Sequence, residues 1–344
     1  MSKTIIAGPC SVESQAQLRE VTLALKSIPE VTMIRAGVWK PRTRPGAFEG
    51  LGEPALGWMR DLTAELGVRF CCEVARPEHV ELCLQYGIDT LWLGARTTTN
   101  PFMVDELCQS LHGTGAHLLV KNPVCPDVRL WIGALERLHK AGIEQLTAIH
   151  RGFSMYNNHG YRNAPLWEVA MELRREHPEL PILCDPSHMG GRADLVAPLA
   201  RAARQLDYDG LMVEVHPHPS DALTDAVQQI TPKTLAGVIA DWTSAPYPTS
   251  AAAADRALDP LRRKIDDIDH DLISLLSQRM AISKRIASVK RDAHLPVYQQ
   301  ARWADVVSDR LHQASSLGLD PDFTKELLEK IHAESVRVQM ENEK

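Results

Sequence analysis

Residues 184–192, CDPSHMGGR, set Asp185, Ser187 and His188 between an apolar run, Leu180 to Leu183, and a glycine pair; Arg192 then opens an amphipathic segment. This is the pattern of a strand emptying into a loop suited to a phosphate or a metal. An aspartate and a histidine at one strand end serve structure as often as ligation, so the pattern needs company. The next such loop supplies it: VEVHPHP carries Glu214 and His216 just past another apolar run. Collecting the residues that follow each apolar run gives Cys10, Arg35 with Lys40, Glu73, Arg96, Lys121, His150 with Arg151, Asp185 with His188, and Glu214. Any one of these reads equally well as a solvated loop charge. The whole series does not, and it divides by chemistry. Arg35, Lys40, Arg42, Arg96, Lys121 and Arg151 are cations whose gathering calls for multiply charged anions, phosphate or carboxylate. Cys10, His188, Glu214 and, in HPSDALTDAV, Asp225 offer one soft, one borderline and two hard donors, a mixture that suits a divalent transition metal. Standing alone, the cysteine of GPCS would read as a small buried hydrophobe.

These residues need a scaffold that brings successive strand ends together. Between residue 4 and about 240 short apolar runs alternate with helical patterns, the mark of parallel βα units. Strands are expected near Thr4 to Ala7, Val31 to Ala36, Val68 to Val74, Asp89 to Leu93, His117 to Lys121, Gln145 to Ile149, Pro181 to Cys184 and Leu211 to Val215. Helices are expected at Ser14 to Ser27, Pro54 to Leu66, Pro77 to Tyr86 and Arg192 to Leu206, among others. Eight units in this length fit an α/β fold, a (β/α)8 TIM barrel with its site at the carboxyl ends of the strands; a doubly wound open sheet is the alternative.

The texture then changes. Residues 241–256 begin DWTSAPYPTSAAAAD and read as a linker between a barrel domain, 1–240, and a helical domain, 257–344. In the latter, Leu258, Leu261, Ile265, Ile268, Leu272, Leu275, Arg279, Ile282, Ile286 and Val289 recur at alternating spacings of three and four, a heptad seam. A helix from Leu258 to Arg291 would run about 50 Å, too long for this tail to cover by folding on itself. It is expected to pack on a second copy. Shorter helices should follow near 301–314 and 322–341. Arg279 occupies a seam position, where a guanidinium is costly unless it meets an anion. Lys290 lies on the same face three turns on, while Arg262 points about 100° away, toward a neighbouring helix.

With 344 residues, 44% of them hydrophobic, the chain can bury two cores, and its formal net charge of -6 provides no basic field for nucleic acid. Seven cysteines, an odd number lying mostly in apolar runs, fit a reducing compartment. No signal-like segment or long apolar span is visible, so a cytoplasmic chain with no membrane partner is expected.

Seven motifs carry a resemblance: GPCSVES (8–14), KPRT (40–43), GAR (94–96), LLVKN (118–122), HRG (150–152), DPSHMGG (185–191) and VEVHP (213–217). Together they resemble 3-deoxy-D-arabino-heptulosonate 7-phosphate synthase, in its compact type Iβ branch. Its nearest rival is 3-deoxy-D-manno-octulosonate 8-phosphate synthase, and Pro41, Arg42 and Thr43 favour the former. The resemblance implies a metal-dependent condensation of phosphoenolpyruvate with erythrose 4-phosphate that releases phosphate. It implies Cys10, His188, Glu214 and Asp225 as ligands of a divalent metal, Mn2+ first, with Fe2+, Co2+ or Zn2+ as alternatives. It implies Arg96, Lys121 and Arg151 on the phosphate of phosphoenolpyruvate, Arg35 and Lys40 on its carboxylate, and Pro41, Arg42 and Thr43 on the aldose phosphate. Lys40 and Lys121 are then catalytic, and Glu73 orients the attacking water.

The tail resembles the all-helical chorismate mutases, through LDPLRRKIDDID (258–269), SQRMAISKRIASVK (277–290), Arg302 and ESVRVQ (334–339). That resemblance implies an interlocked homodimer that converts chorismate to prephenate. Arg262, Arg279, Lys290, Arg302, Ser335 and Gln339 fall on binding positions, with Lys290 and Gln339 near the ether oxygen. Gln299 and Trp303 stand where the family usually carries acidic residues beside the substrate hydroxyl. A dimerising coiled coil without activity and a prephenate-sensing module without turnover are the alternatives. Strand one begins near residue 4, so an amino-terminal sensing domain is not expected, which leaves the tail as the expected regulator, with prephenate as effector.

Overall fold

The computed structural model describes residues 3–41, 46–156, 158, 160–244 and 251–341, with backbone alone at 244 and 251–257. Its first half runs β1 (Thr4–Gly8), α1 (Gln15–Lys26), β2 (Met33–Arg35), α2 (Glu53–Leu66), β3 (Phe70–Val74), α3 (Pro77–Gln85), β4 (Thr90–Leu93) and the short α4 (Ala95–Thr98) and α5 (Pro101–Leu111). It continues through β5 (His117–Lys121), α6 (Val128–Lys140), β6 (Leu146–His150), α7 (Trp167–Glu176), β7 (Ile182–Cys184), α8 (Pro186–Gly190), α9 (Val196–Gln205), β8 (Gly210–Glu214) and α10 (Pro232–Ser244). The strands follow one another in sequence order around a closed barrel. β1 closes it by pairing in parallel with β8, from Thr4 opposite Gly210 to Gly8 opposite Glu214. That closure excludes the open sheet.

Local chemistry accounts for the element ends. Ser14 caps α1 by accepting the Gln17 N–H, and Asp127 caps α6 by accepting those of Arg129 and Leu130. The helix expected from Arg192 begins instead with a 3-10 turn, Ala193–Leu195, before α9.

One residue from each strand fills the barrel interior: Ile6, Met33, Cys71, Trp92, Leu119, Ile149, Leu183 and Met212. The neighbours of these residues, such as Ile5, Cys72, Leu91 and Leu118, face outward into the larger core shared with the helices. This alternation fixes which residues can reach the site.

The helical tail forms a separate compact unit from Tyr247. It consists of α11 (Ala251–Asp292), α12 (Gln300–Ser316) and α13 (Pro321–Glu341). Both ends of the expected 241–256 linker are helical. α10 continues through 241–244 because Trp242 is buried at 2% exposure in the barrel's outer core. α11 starts early because Ala251 to Ala254 are the strongest helix formers. The six residues between the helices lie outside the described residues. Along α11 the seam residues Leu261, Ile265, Ile268, Leu275, Ile282 and Val289 stay more than half exposed in the single chain.

Candidate active site

Counting two residues past each interior apolar side chain gives the next inward layer: Gly8, Arg35, Glu73, Gly94, Lys121, Arg151, Asp185 and Glu214. Six of these eight carry charge, three of each sign. Two ion pairs cross the layer, Arg35 to Glu214 at 3.0 Å and Lys121 to Asp185 at 3.0 Å. Both glycines make room: a Cβ on Gly8 would stand 2.2 Å from the Arg35 carbonyl oxygen, and one on Gly94 2.3 Å from Glu73 Oε1. His150 falls on the other parity and corrects the expectation that it belongs to the mouth. Its ring points outward, accepting or donating at 2.7 Å with the Tyr208 hydroxyl and packing edge-on against Trp167. Burial holds it neutral down to about 3.

Cys10, Glu214 and Asp225 bring ligand atoms within 4.8 Å of one another. Cys10 Sγ is 3.5 Å from Asp225 Oδ2, and His188 Nε2 lies 3.6 Å from Glu214 Oε1. Asp185 orients His188, approaching its Nδ1 at 2.8 Å and accepting its backbone N–H at 3.0 Å. Glu214 accepts from Gln228 Nε2 at 2.6 Å, and its own N–H donates to Ser187 Oγ at 3.0 Å. Burial opposes ionisation of Glu214, but His188, Arg35 and Lys40 outweigh it and hold the carboxyl well below the usual range. The Cys10 thiol is pushed up to about 12 by burial and by the Glu214 charge. Two carboxylates and a thiol on one spot, with the His188 imidazole 3.6 Å from Glu214 beside them, form a donor set that fits a divalent transition metal.

Beside this cluster a cavity of about 670 Å³ opens at the strand ends, lined by Lys40, Glu73, Arg96, Lys121, Arg151 and Arg162 among others. The strand-borne charges largely cancel, so the cationic excess comes from loop residues. Lys40 donates to the Cys10 carbonyl at 3.1 Å; burial opposes its charge, but Cys10, Glu214 and Glu73 raise its pKa. Arg151 is braced by the Asn163 side chain at 2.7 Å, and burial lowers it to about 10. Pro41 lines the same cavity, and its carbonyl accepts from Arg96 at 3.4 Å. Arg42 and Thr43, expected on the aldose phosphate, lie outside the described residues. Arg35, expected on a substrate carboxylate, is 1% exposed, paired with Glu214 and seated over the Trp92 ring at 5.0 Å.

Sequence reasoning missed Arg162. It ion-pairs with Asp225 at 3.1 Å and donates to Gln228 at 2.5 Å. Its place after HRG, in the loop following β6, was the available signal.

In the tail, Ser335 and Gln339 of α13 are both buried, Ser335 against α11 and Gln339 donating to the Ser335 carbonyl at 3.2 Å. Arg279 donates to Ser335 Oγ and, at 3.4 Å, to the Ile331 carbonyl. Lys290 donates at 2.5 Å to the Val297 carbonyl in the turn before α12. Arg262 is exposed and lies 3.7 Å from Asp259, and Arg302 is exposed on α12. Among the expected tail residues, the structure groups Arg279, Ser335 and Gln339.

A closed parallel barrel with two carboxylates and a thiol gathered at its mouth, beside a cation-lined cavity, is a (β/α)8 scaffold with a site suited to anions. The chain belongs to the DAHP synthetase I family, which it matches over residues 2–244, and residues 261–340 match chorismate mutase type II. It is 34% identical over 227 residues to the phospho-2-dehydro-3-deoxyheptonate aldolase of Thermotoga maritima, a match covering 66% of this chain and 65% of that protein. A crystal structure of a Thermotoga maritima DAHP synthase superimposes with TM-score 0.63 at 29% identity, covering 75% of this chain and 70% of that one. The tail is similar to the 4-amino-4-deoxychorismate mutase of Streptomyces pristinaespiralis, 35% identical over 98 residues, 28% of this chain and 76% of that protein. Among the described residues no helix is long and apolar enough to cross a membrane.

Proposed function

We propose that the barrel condenses phosphoenolpyruvate with erythrose 4-phosphate to 3-deoxy-D-arabino-heptulosonate 7-phosphate, and that the tail rearranges chorismate to prephenate. The observation that carries the first reading is the placing of the Cys10, Glu214 and Asp225 donors on the mouth that also gathers Arg96, Lys121 and Arg151. A divalent metal, Mn2+ before Fe2+, Co2+ or Zn2+, held by Cys10, His188, Glu214 and Asp225, would supply a Lewis acid for the aldehyde oxygen. Arg96, Lys121 and Arg151 hold the phosphate of phosphoenolpyruvate, with guanidinium geometry favouring paired hydrogen bonds. Lys40 meets its carboxylate; Arg35 acts at one remove, by compensating Glu214. The enol carbon attacks the aldehyde carbon. Water, oriented by Glu73, then adds to the phosphate-bearing carbon and loses a proton as the former aldehyde oxygen gains one, and the bond from that carbon to the phosphate oxygen breaks. Phosphate release from the two substrates by the intact chain, abolished by EDTA and restored by Mn2+, tests this reading; release that ignores the chelator overturns the metal assignment.

The tail needs no nucleophile, only cations that hold a dicarboxylate in its reactive shape. Arg279 beside Ser335, and Lys290 on the same face of α11, supply them. The exposed seam supports a homodimer in which Arg262 serves the partner's site. Prephenate, the product, also serves as effector of the barrel. Loss of the chorismate absorbance on mixing with the intact chain measures turnover, and a chain that binds prephenate without turning over chorismate is a sensing module instead.

A further inference from the structure

His332 lies three residues before Ser335 and seven before Gln339, on the stripe of α13 that faces Arg279. Its ring is stacked flat on Trp303 of α12, centroids 3.9 Å apart at 13°, with Tyr298 tilted against it at 5.9 Å. Those two rings fix the imidazole's plane. Its Nε2 is buried and has no hydrogen-bond partner, an expensive state for a polar atom unless something else arrives to meet it. The charged groups facing the ring are Arg279 and Lys290, both from α11, and burial first, then these two cations, lowers its pKa. Two cations acting on one ring favour the arrival of an anion, and an anion offers acceptors. An unpartnered ring nitrogen in that position becomes a donor once the anion is in place.

We propose that His332 is a ligand contact of the helical domain's site, its Nε2–H donating to the bound dicarboxylate, and that binding is therefore coupled to protonation of the ring. This rests on the mutase reading and adds a residue to it. The physical cycle is short. In the free protein burial, then the two positive neighbours, disfavour the charged imidazolium. A bound dianion reverses the local field and raises the ring's pKa, so a proton enters with the ligand. Affinity must then increase as pH falls through the ligated-state pKa, and level off below the free-state one. Trp303, at a position where the resemblance to the all-helical chorismate mutases leads one to expect an acidic residue, forms the wall that fixes the ring, so the polar group beside the ligand comes from α13 in its place.

The test is calorimetric titration of prephenate into the full chain at pH 6 and pH 8, in two buffers of different ionisation enthalpy, with chorismate turnover measured in parallel. Proton uptake approaching one per site at the lower pH, absent at the higher, is expected. His332→Phe keeps the stack on Trp303 and should lose both the uptake and about tenfold in affinity at pH 6. His332→Gln retains a donor and should recover affinity without any pH dependence. Wild-type protein that binds no prephenate and turns over no chorismate overturns the mutase reading and this inference together. Turnover with unchanged proton uptake in folded His332→Phe overturns the inference alone.

Discussion

Fully buried Glu214 meets a guanidinium, an imidazole and an amide within 3.6 Å, and a carboxylate so placed stays ionised whether or not a metal is near. Cys10→Ala and His188→Ala should each lower phosphate release by about a thousandfold or more, with chorismate turnover unchanged; chelator-insensitive activity in either variant would reject those residues as ligands. Gly94→Ala probes Glu73. The new methyl meets only the far end of that flexible side chain at 2.3 Å, so stability should hold within about 1 kcal/mol. Synthase turnover should fall about tenfold if Glu73 orients the water, and full activity removes that role. In the tail, Arg279→Ala should slow chorismate turnover by about a hundredfold, read by absorbance. At this scale the residue types were legible and their pairings were not. Nothing in MIRAGVWK shows that Arg35 would be spent on Glu214, which is 179 positions away, since such pairs are set by barrel closure.

At the scale of elements, the eight strands were legible from alternating runs, their ends to within two residues, but their parity was not. A parallel strand buried on both faces reads as continuously apolar, and only the closed barrel shows that Ile149 faces inward and His150 outward. That parity has a measurable consequence. Burial lowers His150 to about 3 in the folded chain, while an unfolded chain protonates it near 6.5. Above the unfolded value both states are neutral and the residue is silent. As pH falls below it the unfolded state alone binds the proton, so stability drops by about 1.4 kcal/mol per unit until the folded value is reached. His150→Gln keeps a partner for Tyr208 and should flatten the acid limb of a urea-midpoint profile between pH 6 and 4. An unchanged slope would place the acid sensitivity elsewhere. The early start of α11 was missed for the opposite reason: the alanine run looked like linker by its neighbours, though its own propensity is helical.

At the scale of the molecule, two compact units meet in sequence at residues 246 and 247, and the proposed effector of the first is the product of the second. Feedback of that kind requires that prephenate bind one arrangement of the chain better than another, because equal affinity for both shifts nothing. The comparison therefore turns on a barrel that is intact but lacks the tail. Cutting at Asp241 would remove Trp242, which is buried in the outer core and whose carbonyl accepts from Arg204. Such a barrel would lose stability for reasons unrelated to regulation. A chain ending at Pro246 keeps all of α10. Prephenate at saturating concentration should inhibit phosphate release by the full chain several-fold and leave the 1–246 chain unaffected, and Arg279→Ala in the full chain should abolish the inhibition along with prephenate binding. Scattering should report a change in particle dimensions on adding prephenate to the full chain. Equal inhibition of the shortened chain would place the effector in the barrel's own anion site, where Arg96, Lys121 and Arg151 offer a dicarboxylate the same charges they offer phosphoenolpyruvate. Inhibition would then be competitive with phosphoenolpyruvate, whereas inhibition through the tail need not be.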